Sequence, residues 1–343
     1  MAHTPNPPPA IAATGPSPDA GAAVVERTRL APSPTGALHL GNARSFLVNW
    51  ALATKAGWRI LLRIEDLDTP RVKPGAIEQT IDLLAWLGMH WDEGPIVQSA
   101  DLEPYIDAMR RLAGAGAAYP SALSRRDIEQ QSADLALSAP QEGAHESRFP
   151  PELRPEIRAR TFAPDDVNWR LVVEPGEVAF TDAQAGAQAF DPSASVGDFL
   201  VWTMRRQPSY QLAVVVDDAA QGVTQVVRGD DLLDSTARQI LIARRLGLRF
   251  GGLEVPRYRH LPLVIGHDGR RLAKRHGDTR LDRYRAEGIP AQRVIGLCAT
   301  WCGIIGERRA MDAQEFAAGL QADRIPADPV IFTQEDEQWL CQQ

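Results

Sequence analysis

Arg29-Leu30-Ala31-Pro32-Ser33-Pro34-Thr35-Gly36-Ala37-Leu38-His39-Leu40-Gly41-Asn42 is the stretch on which the reading of this chain turns. Residues 27–31 read as a buried first strand, the Pro/Gly run as a tight turn, and His39 to Asn42 as the opening of a helix. A strand-to-helix turn near the N-terminus is where an α/β sheet binds nucleotides, because the helix start presents free backbone N–H groups to phosphate. Far downstream, Gly269-Arg270-Arg271-Leu272-Ala273-Lys274-Arg275-His276 forms a basic, turn-rich loop suited to closing over those phosphates.

Working outward, the helix after His39 carries Leu40, Ala43, Leu47, Trp50, Ala51 and Ala53 close to a 3.6-residue rhythm, and Gly57 ends it. Residues 58–64 form a second apolar strand, and residues 75–87 a helix stopped at Gly88. This βαβα opening predicts an α/β fold with a Rossmann-type, doubly wound parallel sheet. The pattern breaks over residues 119–194. There a polar, Pro-rich loop at 130–155 precedes strand-like pieces at 169–173 and 178–182. We read 23–118 and 195–282 as the two halves of the catalytic domain and 119–194 as an insertion between them. Residues 199–204 and 211–216 are expected to return as sheet strands, and 234–246 as a helix. The remaining 61 residues, 283–343, read as a short helical C-terminal segment. Residues 1–22 are rich in Pro and Ala, without the basic start or apolar core of a signal peptide, and read as a disordered tail.

The 37 basic against 44 acidic residues give a formal charge of −7, so no global field draws in nucleic acid. A local patch would have to do so. The candidates are Arg154, Arg158, Arg160 and Arg170, and the run Arg270, Arg271, Lys274 and Arg275. Three cysteines argue for a reducing, cytoplasmic setting rather than a disulfide scaffold. Cys298 and Cys302 share a helix face and read as core rather than metal ligands. No apolar run reaches transmembrane length.

Five blocks now stand in a fixed order: His39 to Asn42, Arg63 to Thr69, Tyr210 to Asp218, Val227 to Leu233 and Arg271 to Arg275. Over roughly residues 26–285 the chain resembles a class I aminoacyl-tRNA synthetase of the glutamyl type. The resemblance implies ATP with Mg2+ and L-glutamate as reactants and tRNA as partner. It implies His39 and Lys274 as catalytic residues, with Pro34, His39, Gly41, Asn42, Arg271 and Lys274 around ATP. Glutamate would meet Arg29, Ala31, Ser33, Glu65, Tyr210 and Arg228. The chemistry agrees: carboxylate attack on a phosphate joins two anions, so positioning and positive charge do most of the work. A guanidinium grips a carboxylate through paired hydrogen bonds, which favours glutamate over glutamine. Glu65 would hold the α-ammonium, unless it is only an ion-pair partner of Arg63, and Tyr210 would close the pocket, unless it is a core aromatic. Asp66 and Asp68 are expected to brace the pocket or cap a helix rather than catalyse. The family's usual Lys-Leu-Ser-Lys-Arg appears here as Arg271-Leu272-Ala273-Lys274-Arg275, which loses a hydroxyl and exchanges one cation.

The 61 residues after the lysine loop are too few for an anticodon-reading domain. The chain thus resembles the truncated members of the family, which attach glutamate to the queuosine base of tRNA(Asp). Those members often carry zinc in the insertion. Here the corresponding positions are Ser121, Leu123, Phe149 and Leu153, and zinc is not expected. Three readings stay open: this tRNA-modifying ligase, a shortened synthetase charging tRNA(Glu), and a non-catalytic glutamate- or adenylate-binding regulator. A monomer is expected.

Overall fold

The structure, a computed structural model, describes residues 25–134, 148–270, 272 and 278–342. The expected tail at 1–22 and Arg271 and Lys274, expected around ATP, lie outside the described residues, as does much of the 130–155 loop.

β1 (Arg27–Leu30) is followed by α1 (Leu40–Ala56), β2 (Arg59–Ile64), α2 (Ala76–Trp86) and β3 (Glu93–Val97). β2 lies between β1 and β3, parallel to both. The chain turns from α1 into β2 at Gly57, whose φ of 69° lets its N–H reach the Ala53 carbonyl. α3 (Glu103–Gly114), β4 (Ala118–Ser121), α4 (Arg125–Asp134), β5 (Asn168–Leu171), β6 (Val178–Asp182), β7 (Gly186–Phe190) and α5 (Pro192–Ser195) lead into the middle of the chain. Then come β8 (Leu200–Thr203), β9 (Gln207–Pro208), α6 (Tyr210–Ala220), β10 (Gln225–Gly229), α7 (Ser235–Leu246), β11 (Arg257–Leu261) and β12 (Val264–Ile265). β10 pairs in parallel with β11. It also lies against β1, where Thr224 N–H donates to Arg27 O at 2.9 Å and Thr28 Oγ1 to Gln225 O at 3.0 Å. Across the molecule the strands therefore run β3-β2-β1-β10-β11, the doubly wound order, with its switch between β1 and β10. A ligand crevice is expected outside the carboxyl ends of those two strands.

The expected insertion feeds two sheets. β6 joins the edge of β11 in parallel and carries β7 with it, so this hairpin extends the main sheet. β4, β5, β8 and β9 form a separate antiparallel sheet. Residues 199–204 thus supply a strand, but to the smaller sheet. The strand expected at 211–216 is instead the buried middle of α6, capped by Ser209, whose Oγ accepts from Leu212 N–H. The C-terminal helices α8 (Leu281–Ala286), α9 (Ala291–Trp301) and α10 (Ala313–Gly319) precede β13 (Val330–Ile331) and α11 (Gln334–Cys341). Leu297, Cys298 and Phe316 from α9 and α10 are fully buried in one core with Leu47, Trp50 and Ala51 of α1. Each large side chain removed from water there contributes about 1.5–3 kcal/mol. Among the described residues no helix is long and apolar enough to cross a membrane.

At the positions corresponding to zinc ligands, carbon packs against carbon. Tyr119, Ile128, Phe149 and Val172 are buried together, with Leu123 and Leu153 against them. The Arg170 guanidinium lies 4.3 Å over the Phe149 ring. Asp198 anchors the cluster, accepting from Tyr119 Oη at 2.6 Å, Arg154 Nε at 2.7 Å and Val173 N at 2.8 Å. A Cβ on Gly197 would fall 1.8 Å from the Phe149 carbonyl oxygen, so only glycine closes this corner. Arg154 and Arg170, two members of the first basic cluster, are therefore structural and do not present their charge to a partner. This donor set of one hydroxyl and several alkyl and aryl groups cannot hold zinc. Phe149→Ala is expected to destabilise the region by about 3–5 kcal/mol, while a zinc chelator leaves the thermal unfolding curve of the unaltered protein in place. A chelator-induced fall in Tm would overturn the metal-free account of this cluster.

Candidate active site

At the carboxyl ends of β1 and β10 the structure opens a cavity of about 550 Å³. Arg29, Ala31, Ser33, Glu65, Tyr210 and Arg228 line it, and so do His39, Gly41 and Asn42. The six residues expected around glutamate thus share one space with the start of α1. Pro34 does not line it; it faces a neighbouring cavity with Arg71, Lys73 and Arg280.

The start of α1 explains itself chemically. His39 occupies the N-cap, its Nδ1 accepting from Gly41 N–H at 3.1 Å, while Asn42 Oδ1 accepts from His39 N–H at 3.0 Å. These reciprocal bonds satisfy two backbone donors of the helix start. Because Nδ1 accepts, the ring proton sits on Nε2, which makes that atom a donor. A Cβ at Gly41 would come within 3.0 Å of the His39 ring, so Gly41 makes room for the imidazole. Beyond the lysine loop the chain returns to this point: Leu40 N–H donates to Thr279 O at 3.1 Å and Leu281 N–H to Leu38 O at 2.8 Å. On the other side Val264 lies 3.6 Å from where a Gly41 Cβ would sit. Both described ends of that loop are therefore moored beside His39.

The opposite end of the cavity is charged, and its charges are held from behind. Arg29 Nε donates to Asp218 Oδ1 at 3.3 Å, and Arg63 Nη1 donates to the same oxygen at 2.7 Å. Arg63 also reaches Glu65 Oε1 through Nη2 at 3.2 Å. Asp217 is occupied on the far side by Gln98 Nε2 at 2.6 Å and Tyr105 Oη at 2.9 Å. Burial pushes the Glu65 carboxyl above its ordinary pKa, against the pull of Arg63 and Arg29. Glu65 thus pairs with Arg63 and still lines the cavity, so the two readings of this residue are compatible. Tyr210 opens α6 and is 40% exposed at the cavity mouth, so it is not a core aromatic. Ser33 Oγ lies 3.0 Å from Thr35 Oγ1 on the loop above.

Arg228, at the end of β10, is 7% exposed. Its Nε and Nη2 are used within the protein, by His260 Nε2 at 2.9 Å and Thr236 Oγ1 at 2.8 Å. Its Nη1 is buried and has no partner among the described residues. Arg228 lines the cavity, and a guanidinium that keeps one donor without an acceptor is chemically suited to a carboxylate.

Asp66 accepts from Ser99 N at 2.9 Å and Asp68 pairs with Arg71 and Arg205, so both brace loops. The sequence reading did not pick out Asp231, Leu232, Leu263 and Val264, which line the helix side of the cavity. It also left Asp217 and Asp218 without a role. Two adjacent acids ending a run of valines on a buried helix were the available signal.

The class I tRNA synthetase (E and Q) catalytic-domain family matches residues 25–339. The Glutamyl-Q tRNA(Asp) synthetase of Symbiobacterium thermophilum is 44% identical over 90% of this chain and 96% of its own length. The glutamate–tRNA ligase of Dechloromonas aromatica is 35% identical over 92% of this chain but only 67% of its own length. The crystal structure of a glutamate–tRNA synthetase from Elizabethkingia anophelis superposes with a TM-score of 0.74 at 23% identity, covering 92% of this chain and 69% of that one, which bears out the fold. From a capped helix start facing buried arginines across one cavity, and from these matches, the chain belongs to the class I tRNA synthetases of the glutamyl and glutaminyl type.

Proposed function

We propose that this protein activates L-glutamate with ATP and transfers the glutamyl group to the queuosine base of tRNA(Asp) in the cytoplasm. The observation that carries the reading is that Arg228, whose buried Nη1 has no acceptor among the described residues, lines the same cavity as the α1 N-terminus: a guanidinium suited to a carboxylate shares one space with a phosphate-binding helix start. The choice of acceptor is supported by the near end-to-end match to the S. thermophilum relative.

In this reading the glutamate side-chain carboxylate lies against Arg228 and Arg29, and the α-ammonium against Glu65. One oxygen of the α-carboxylate attacks the α-phosphorus of ATP, the bond to the β-phosphate oxygen breaks, and pyrophosphate leaves with its electron pair. His39 donates through Nε2 to phosphate oxygen, and the N–H groups of the α1 start add their partial positive charge. Arg271 and Lys274 would neutralise the departing pyrophosphate. The charge of the ATP phosphates would be partly shielded by Mg2+ bound to them. A hydroxyl of the acceptor then attacks the glutamyl carbonyl and releases AMP. Tyr210 narrows the mouth over the bound amino acid.

Two experiments bear on this. Radiolabelled glutamate with ATP is offered to tRNA(Asp) with and without queuosine, and to tRNA(Glu). Label only on queuosine-containing tRNA(Asp) is expected. Label on tRNA(Glu) would instead support conventional charging, and glutamate binding without pyrophosphate release would support a regulator. The second concerns Glu65, which holds an ammonium only when ionised and whose pKa is raised by burial. As pH falls through that raised pKa the carboxylate is lost, so KM for glutamate rises on the acid side, above the free side-chain carboxyl's pKa of about 4.3. In ATP–pyrophosphate exchange, Glu65→Gln is expected to raise KM about ten-fold or more near neutrality and to flatten that acid limb. An unchanged limb would remove Glu65 from ammonium binding.

A further inference from the structure

Arg228 ends in a chain of polar groups whose direction is fully determined. A guanidinium only donates, so its Nε–H, 2.9 Å from His260 Nε2, obliges that nitrogen to carry a lone pair. The imidazole proton is then on Nδ1, which lies 2.6 Å from Asp182 Oδ2. The backbone N–H of His260 also donates to Asp182, at 3.1 Å, as do those of Gln184 at 2.9 Å and Ala185 at 2.8 Å. Asp182 is therefore an ionised acceptor fixed by backbone, and its carboxyl is held below the ordinary range. Burial holds the His260 imidazole below its usual pKa; the Asp182 bond opposes this and the Arg228 charge adds to it. Tyr258 stacks on the imidazole, with ring centroids 6.0 Å apart and planes 21° from parallel.

We propose that His260, oriented by Asp182, is a positioning residue for glutamate selection: it ties down Arg228 through Nε, so that Nη1 is the nitrogen left to the substrate carboxylate. The inference rests on the assignment of Arg228 to that carboxylate. A neutral imidazole between acid and guanidinium matters for charge. Were Asp182 in direct contact with Arg228, an internal ion pair would compete with the substrate for the same cation. With His260 as spacer the orientation of the acid is transmitted while its charge is kept one ring away. Asp182 lies on β6, 78 residues before His260 on β11, so the parallel pairing of those strands creates the arrangement.

The test is ATP–pyrophosphate exchange with glutamate and with glutamine, on His260→Leu, His260→Gln, Asp182→Asn and Arg228→Gln. His260→Leu is expected to raise KM for glutamate about ten-fold or more with kcat and KM for ATP little changed, and to lower the glutamate-over-glutamine ratio of kcat/KM. His260→Gln, which offers a carbonyl oxygen near the former Nε2, is expected to recover much of both. If His260→Leu depresses kcat and both KM values alike, or His260→Gln does no better, the role is merely structural and the proposal fails. Should His260→Leu not fold, Asp182→Asn decides: a raised glutamate KM with weakened discrimination supports the chain, unchanged values overturn it. Arg228→Gln separates the two levels. If it leaves discrimination intact, the assignment of Arg228 falls and the chain with it; if it abolishes discrimination while the His260 variants do not, only the chain falls.

Discussion

Everything around the cavity depends on keeping one fully buried cation in place. Arg63, in the middle of the parallel sheet, has no exposed side-chain surface, and Glu65, Asp217 and Asp218 surround it. Withdrawing such charges from water is costly, and removing one member of a buried group leaves its partners uncompensated, typically at about 3–5 kcal/mol. The cluster is retained because its members face two ways. Asp218 holds Arg63 with one oxygen and Arg29 with the same atom, so an acid on α6 orients a guanidinium on β1. Arg63 in turn steadies Glu65. The framework and the cavity wall are built from one network, in which the inner residues are structural and the outer ones line the cavity.

The two arginines that line the cavity are held differently. Arg29 leans on a carboxylate, so part of its charge is already answered within the protein. Arg228 leans on a neutral imidazole and a hydroxyl, and keeps its charge for a ligand. On the proposed reading, an amino acid with a second carboxylate would meet the stronger field at Arg228, and one with a neutral amide would leave that nitrogen poorly matched. Opposite them, the helix start supplies only partial charges and one imidazole donor. That graded arrangement suits phosphate, which arrives already carrying counter-ions.

The opening of the fold was legible because its signals are local. Strand β1, the Pro/Gly turn and the amphipathic α1 each announce themselves within a dozen residues, and His39 to Asn42 falls where its motif put it. Residues 211–216 misled because a short apolar run buried on all sides looks alike as strand or helix. The deciding sign was Ser209 just upstream, a helix cap rather than a strand start. The cavity-facing residues Arg29, Glu65, Tyr210 and Arg228 were found through motif resemblance. The residues that hold them were not. Asp218 is 189 residues from Arg29, and Asp182 is 78 from His260. No periodicity joins such positions; they meet only because β6 and α6 pack where they do.

The carbon-packed corner around Phe149, Leu123 and Leu153 carries a consequence for how this protein meets its surroundings. A thiolate–zinc knot ties a subdomain's folding to metal supply and pH, since thiolates must be deprotonated to bind. A cluster of aromatic and aliphatic side chains answers to neither. Its strength follows temperature instead, because apolar burial weakens on cooling. With a carbon-packed cluster rather than a metal knot in this corner, the point of vulnerability lies in the cold and not in metal starvation.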